Sequence, residues 1–355
     1  MYGYNQAQYE GSPATAITLD FDRGFYSPAG PGDAWAHGHG LHGQPGGSEL
    51  VDFVGTLANG PISTPGQGRS AKANAGWQLL GNPYPSPLDW DKVATTGLVN
   101  IAPTLYVYES GGQYAGNYAS YLNGQATNGS TNVVPVAQGF FVRTAAEGVM
   151  GNINFINSQR FTTDAQATFQ RTADLRPQLL LELSNAKLAS QTAIYFERGA
   201  TARFDTDFDA PALPLSNGLM LASSRAEVLA INGQPALSGA ASTVPLRLAV
   251  AIAGTYTLRT ANLTNLPAGY RAYLRGATQN TYTDLATTPS LTLSLASGAA
   301  AGRFAVLFTN ASPLATAPAA LAALATVFPS PAQGMATLVL PRGAARECGK
   351  HGAAA

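Results

Sequence analysis

The sequence predicts an all-β fold built from two antiparallel β-sandwich, jelly-roll-like domains, with a short helix and a truncated C-terminal β-domain. Three observations carry that prediction. Short runs rich in β-branched and aromatic residues recur along the chain, each bounded by Gly, Asn or Pro. Several of them alternate apolar and polar residues with period two, the mark of a strand with one dry face. The 38 Gly and 23 Pro residues supply frequent turns and leave little room for long helices.

Residues 1–48 read as an irregular segment, because "SPAGPGDAWAHGHGLHGQPGGS" has neither helix nor strand period. A first β-domain is expected over 49–165. Its strands are "ELVDFVGTLANGP", ending at Asn59-Gly60, then "TLYVYES", "VVPVAQGFFVRT" and "NINFINSQRF". A second spans 166–310, with "QLLLELS", "TAIYFER", "GTYTLRT", "SLTLSLAS" and "GRFAVLFTN" as strands. In that domain Tyr256 and Leu258 share one face, as do Leu291, Leu293 and Leu295. "EVLAINGQP" reads as a strand ending in an Asn-Gly hairpin turn. Residues 311–325 form an Ala/Pro linker, and 326–355 carry one more turn and strand.

The densest stretch is "GWQLLGNPYPSPLDWDK", Gly76 to Lys92. Trp77, Leu79 and Leu80 read as strand residues, and Gly81 as the point where the chain turns. Asn82 and Tyr84 each precede a proline, Pro83 or Pro85, and are thereby held extended. Ser86, Pro87 and Asp89 have the spacing of a helix start, with Ser86 as N-cap and Asp89 as its capping-box partner. The helix closes around Thr95 to Gly97. Trp90 then folds back onto the sheet, where burial is worth roughly 2–3 kcal/mol. A sugar-stacking platform of Trp77, Tyr84 and Trp90 is the alternative reading, and core packing is preferred because aromatics beside prolines brace corners.

Charge excludes whole classes of partner. Lys plus Arg number 20 and Asp plus Glu 20, and charged residues are only 11% of the chain. No surface field for nucleic acid or an anionic membrane is on offer. No apolar run is long enough to span a membrane. Cys348 is the one cysteine and can close no intrachain disulfide. "MYGYNQAQYEGS" shows neither the basic patch nor the apolar run of a signal peptide.

Candidate chemistry is sparse. His37, His39 and His42 cluster in a Gly-rich segment without a recognisable second shell. The Gly38–Gly43 spacing matches a dinucleotide-binding loop in form, but no strand precedes it and no helix follows. Asp205, Asp207 and Asp209 form a D-x-D-x-D run, read either as a calcium site or as a solvated acidic loop. No cofactor is otherwise implied, and no catalytic acid–base or nucleophile constellation is recognisable. The sequons at Asn128, Asn262 and Asn310 carry no argument.

"GWQLLGNPYPSPLDWD", followed by "VPVAQGFFVR" with Gln138, Gly139, Phe140, Phe141 and Val142, resembles a strand-and-corner module of large secreted Bacteroidetes proteins. "RFDTDFDAPAL", "GTYTLRTANLTNLPAGYRAYLRG" and "GRFAVLF" resemble the β-sandwich that follows it there. Val327, Phe328, Pro329, Pro331 and Gly334 in "VFPSPAQGMATLVLP" resemble the opening of the type A sorting domain of the type IX secretion system, with Ser330 where Asn is usual. The match stops after the first strand of that domain. The resemblance implies a parent protein exported through both membranes and often fixed to the cell surface; because no acid–base cluster shows, the chain is expected to be a non-enzymatic, structural or adhesin-like protein of the outer cell surface or the extracellular space. Its partners would be the type IX secretion machinery and glycans or cell-surface polysaccharide. The alternative is a carbohydrate-binding accessory module of a larger secreted hydrolase. The chain is expected to be a fragment of the exported parent.

Overall fold

Strands dominate, and the reason is the period-two patterning. In Gln178–Ser184, "QLLLELS", Leu179, Leu181 and Leu183 are fully buried while their neighbours are half-buried. The structure, a computed structural model, describes residues 3–4, 24–27, 55–72, 75–112, 115–161, 174–213, 219–311, 313, 326–328 and 337–339. The all-β fold class holds.

The larger sheet belongs to residues 178–309. From edge to edge it runs Thr281–Asp284, Arg271–Gly276, Gly298–Thr309, Ser242–Val250, Leu219–Ser224, Val228–Pro235, Ala189–Glu197, Gln178–Ser184, Gly254–Thr264 and Ser290–Leu295. Ala210–Pro211 adds beside Val228–Pro235. The sheet curls so that its two ends enclose one core, in which the Phe196 and Phe308 rings meet edge to face at 4.8 Å. Tyr256 and Leu258 face that core together, as do Leu293 and Leu295.

The earlier part is built from smaller sheets. Five strands run in the order Gln125–Thr127, Ala115–Leu122, Leu105–Gly112, Gly139–Arg143, Trp77–Gly81. Met150–Phe155 pairs in turn with Gln67–Gly68, Leu98–Val99 and Ile62–Ser63. A third cluster of buried residues joins the two parts. Trp77, Leu79, Tyr106, Leu122 and Phe141 pack there with Ala193, Tyr195, Ala210, Leu213 and Ile231.

Several expectations are corrected. The helix is Trp90–Thr96, three residues later than the Ser86 cap would start it. Leu88–Asp89 is instead a short strand paired with Val133–Val134, which takes up the backbone groups a first helical turn would have used. Asp89 is the N-cap residue, not a capping-box partner, and its side chain makes no cap bond. Ser86 Oγ accepts from Arg160 Nε at 2.6 Å. Gly81 remains in its strand opposite Gly139, and the left-handed glycine is Gly76, at the strand's other end. "VVPVAQGFFVRT" is two strands, separated by a turn in which Ala137 takes φ 59°. Residues 55–58 of "ELVDFVGTLANGP" are not strand, and 49–54 lie outside the described residues.

The Asn-Gly pair at 232–233 makes no turn. Val228–Pro235 runs straight through it. Asn232 is buried, donating to Ser223 Oγ at 3.0 Å and accepting from Gln234 Nε2 at 2.7 Å. Gly233 is small because a Cβ there would stand 2.7 Å from Phe208 Cβ. This strand also breaks the purely antiparallel expectation, since it pairs in parallel with Ala189–Glu197.

The N-terminal segment is not wholly irregular: Gly3–Tyr4 and Phe25–Tyr26 pair antiparallel. Thr326–Phe328, holding Val327 and Phe328, pairs antiparallel with Thr337–Val339. Pro329, Pro331 and Gly334, the three histidines at 37, 39 and 42, Cys348 and most of the 311–325 linker lie outside the described residues.

Candidate functional site

The two motifs of the resemblance are neighbours in space. Trp77–Gly81 and Gly139–Arg143 lie antiparallel, with Gly81 opposite Gly139, Leu80 opposite Phe140 and Leu79 opposite Phe141. Both faces of this strand pair are buried. Alternation sends Leu80, Phe140 and Val142 into the core of the first part, while Trp77, Leu79 and Phe141 enter the core shared with the second. The paired phenylalanines thus serve two different cores.

The corner after Gly81 is tied by the amide of Asn82. Asn82 Nδ2 donates to Ser86 O at 2.9 Å, Pro135 O at 3.0 Å and Val134 O at 3.2 Å, and Asn82 Oδ1 accepts from Tyr84 N at 3.0 Å. The Asn82 N–H donates to Gln138 O at 3.1 Å, and Gln138 Nε2 donates to Gly139 O. Pro83 and Pro85 lack an N–H, so each removes one donor that this tight bend would otherwise have to satisfy. Tyr84 hydroxyl donates to Gly60 O at 2.6 Å, and the Arg160 guanidinium lies 5.0 Å from the Tyr84 ring centre. Trp90 Nε1 donates to Pro103 O at 2.8 Å, and its ring meets Phe140 edge to face at 5.4 Å. Trp77, Tyr84 and Trp90 are 3%, 2% and 1% exposed, so their rings are core and offer no open face to a sugar.

Charged residues that the sequence reading passed over hold the junction between the two parts. Arg143 Nη1 lies 2.8 Å from Glu227 Oε2, its Nε donates to Ala75 O, and its guanidinium stands 5.3 Å from the Trp77 ring centre. Arg69 Nη2 is 3.6 Å from the other Glu227 oxygen, and burial beside Arg143 lowers the Arg69 pKa. On the far side of the junction, Arg176 Nη2 lies 2.7 Å from Asp174 Oδ2 and also donates to Asn123 O. Gln125 Nε2 donates to the same Asp174 oxygen, and the hydrogen bond from Arg176 holds the Asp174 carboxyl below its ordinary pKa. Asn128 N donates to Gln191 Oε1, and Asn117 Nδ2 to Ala189 O. The available signal was the rarity of charge: in a chain only 11% charged, an Arg directly after "GFFV" is conspicuous.

The three aspartates do not converge. Asp205 accepts from Asp207 N, and Asp207 Oδ atoms take no part in that turn's bonds. Asp209 is fully buried and turned inward, accepting from Asp205 N, Gly233 N at 2.9 Å and Arg225 Nη1 at 3.1 Å. Burial pushes its carboxyl up to about 6 against those three donors. Among the described residues no group of three His, Cys, Asp or Glu side chains is placed to hold a metal ion. The calcium reading of this run finds no coordinating set.

One open cleft lies on the second part. It measures about 310 Å³ and is lined by Leu263, Leu266, Tyr270, Arg271, Ala272 and Ala286. Arg271 Nη1 at its rim is 2.6 Å from Asp284 Oδ2, and the Tyr270 hydroxyl accepts from Gly239 N. No helix among the described residues is long and apolar enough to cross a membrane.

Comparison with known families gives one match. Residues 44–308 fit the model of a family described as a domain of unknown function, DUF8693. No curated protein and no solved structure matches the chain.

Proposed function

The chain belongs to the DUF8693 family, and from that premise we propose that it is a non-enzymatic, structural or adhesin-like part of a secreted or cell-surface protein carried by the type IX secretion system. The observation that carries this reading is the use made of the two motifs. Their aromatic residues are packed into a doubly buried strand pair that welds two β-rich parts together. A stiff body stapled across its junction suits a stalk or matrix component, which must transmit load between sheets. The Val327–Phe328 strand and its partner at 337–339 are consistent with the start of a sorting domain. Antibodies raised against the folded protein test the location on intact source cells. Surface labelling that disappears when the type IX translocon is disrupted is the expected result, and purely internal protein in both strains refutes the reading.

The Tyr270–Arg271 cleft favours a second reading, carbohydrate binding as an accessory module. Its volume is at the small end for ligand pockets. Its apolar floor suits the C–H face of a pyranose, and the Arg271–Asp284 pair offers donors and acceptors to neighbouring hydroxyls. Polysaccharide binding that Arg271→Ala removes, with the fold intact, is the outcome that supports it. No retention on any polysaccharide column removes it.

A further inference from the structure

The chain holds five Asn-Gly pairs, at Asn59, Asn123, Asn128, Asn217 and Asn232, and all but the one at Asn217 lie among the described residues. Three of these have the side-chain nitrogen tied down. Asn123 Nδ2 donates to Asp207 O at 2.8 Å, Asn128 Nδ2 to Tyr118 O at 2.8 Å, and Asn232 Nδ2 to Ser223 Oγ at 3.0 Å. Asn59 is held the other way round. Its Oδ1 accepts from Arg160 Nη1 at 3.3 Å, and its Nδ2 donates to no described residue. Asn59 is exposed and belongs to neither strand nor helix. The next residue, Gly60, is left-handed at φ 83°, with open space where a Cβ would stand. Its N–H donates to a side chain, Asn157 Oδ1 at 3.1 Å, and not to a strand ladder. Asn157 Oδ1 also accepts from Arg160 Nη1 at 3.3 Å, so one guanidinium faces both amide oxygens.

We propose that Asn59-Gly60 is a self-modifying site, at which the side-chain amide is lost and an aspartate or isoaspartate is left facing Arg160. The step needs only the chain and water. The Gly60 nitrogen attacks Asn59 Cγ and passes its proton to water as the new N–C bond forms. The Cγ–Nδ2 bond then breaks, and the nitrogen takes a proton from water and leaves as ammonia. A second water opens the five-membered imide at one or the other carbonyl. The attacking and attacked atoms belong to adjacent residues, so rotation alone brings them together, and glycine puts no Cβ in the way. Negative charge develops on Oδ1 during the attack, and Arg160 already donates to that oxygen, as an oxyanion requires. The departing Nδ2 has no bond to give up. The product carboxylate gives Arg160 a charged acceptor in place of a neutral one, which is a stronger bond. At the other three pairs, closing the ring must first break the Nδ2 bond. At Asn232 it must also open a strand in which Gly233 N donates to Asp209 Oδ1. The site is fastened to the proline corner, since Gly60 O accepts from the Tyr84 hydroxyl and Arg160 Nε donates to Ser86 Oγ. The inference stands apart from the proposed location, because it is read in purified protein.

The experiment incubates the full chain at mildly alkaline pH and follows the four pairs by peptide mass spectrometry, as a gain of about 1 Da at each. A parallel sample in concentrated urea gives the rates of the same pairs without the fold. In the folded chain Asn59 should convert at least as fast as it does in urea, and about tenfold or more faster than Asn123, Asn128 and Asn232. In urea the four rates should draw together. Arg160→Gln should slow Asn59 several-fold in the folded chain and leave its rate in urea unchanged, whereas Arg160→Lys, which keeps the charge, should retain more of the rate. Arg160 also braces the corner, so a thermal melt and unchanged rates at the other three pairs report whether each variant is folded. The ranking in the wild-type chain is decisive whether or not a variant folds. An Asn59 that converts more slowly folded than in urea, an Asn59 no faster than the other three pairs, or a folded Arg160→Gln with an undiminished rate overturns the proposal.

Discussion

Glu227 receives Arg143 across the junction at 2.8 Å, from a position 84 residues further along the chain. Arg143 is nearly sealed from solvent, whereas Glu227 is about one-third open. Removing the carboxylate leaves a guanidinium with no counter-ion beneath Trp77, which is the costly way to break such a pair. Glu227→Ala should lower stability by about 2–3 kcal/mol, discounted from the fully buried case for the exposure of Glu227. Urea unfolding read by tryptophan fluorescence and by far-ultraviolet dichroism checks it. The two signals should coincide in the parent, because the shared core makes one cooperative body, and should separate in the variant. Separate transitions in the parent would show two independent domains.

Asn82 is the most heavily bonded side chain of the corner, and its chemistry is specific. The amide nitrogen points among three carbonyl oxygens. Asn82→Asp places an acceptor where a donor is required, with a negative charge 8% exposed. Asn82→Ala should cost about 2–3 kcal/mol from the lost bonds, and Asn82→Asp should cost more at neutral pH. The aspartate variant should recover part of its loss as pH falls, because a protonated carboxyl can donate again. A midpoint for Asn82→Asp that equals or exceeds that of Asn82→Ala at pH 7 contradicts this arrangement.

Trp90 separates architecture from ligand binding. Its ring is buried against Phe140 and its N–H is satisfied by Pro103 O. Trp90→Ala should cost about 3–5 kcal/mol by cavity formation. Trp90→Phe should cost less, retaining a ring but losing the N–H bond. Thermal melts give the answer, and wild-type stability in Trp90→Ala would mean that the ring is not core.

The strands of the second part were legible because single residues alternate strictly, as in Leu179, Leu181 and Leu183. The misread places share one cause: a local signal overruled by a distant partner. Ser86-Pro87 is a helix start by composition, but Val133–Val134 captures the following residues as a strand. Asn232-Gly233 is a turn signal by composition, but Phe208 and Asp209 close over Gly233 and keep it in the sheet. The Asn82 network was legible only in part: the prolines announce a bend, but nothing local says that Val134 and Pro135 receive the amide. The Arg143–Glu227 pair was invisible for the same reason. Charge spacing along a sequence does not say that Arg143, at the end of one strand, meets Glu227 in the turn between Leu219–Ser224 and Val228–Pro235.

Asp209 gives the pH dependence a definite sign. Its folded pKa, about 6, lies above the ordinary 3.8, with burial the largest cause. The folded chain therefore binds more protons than the unfolded one between those values. The stability this group adds is complete below about pH 4 and is lost as pH rises through 6, a change of up to about 2–3 kcal/mol. Asp174, Glu182 and Asp284 have lowered pKa values and act in the opposite sense, losing stability as pH falls. Those three are common to parent and variant, so a comparison with Asp209→Asn cancels them. The stability of the parent relative to Asp209→Asn should fall from pH 4 to pH 7. A difference that grows with pH instead would mean that Arg225 and the amides of Asp205 and Gly233 outweigh the cost of burying the charge.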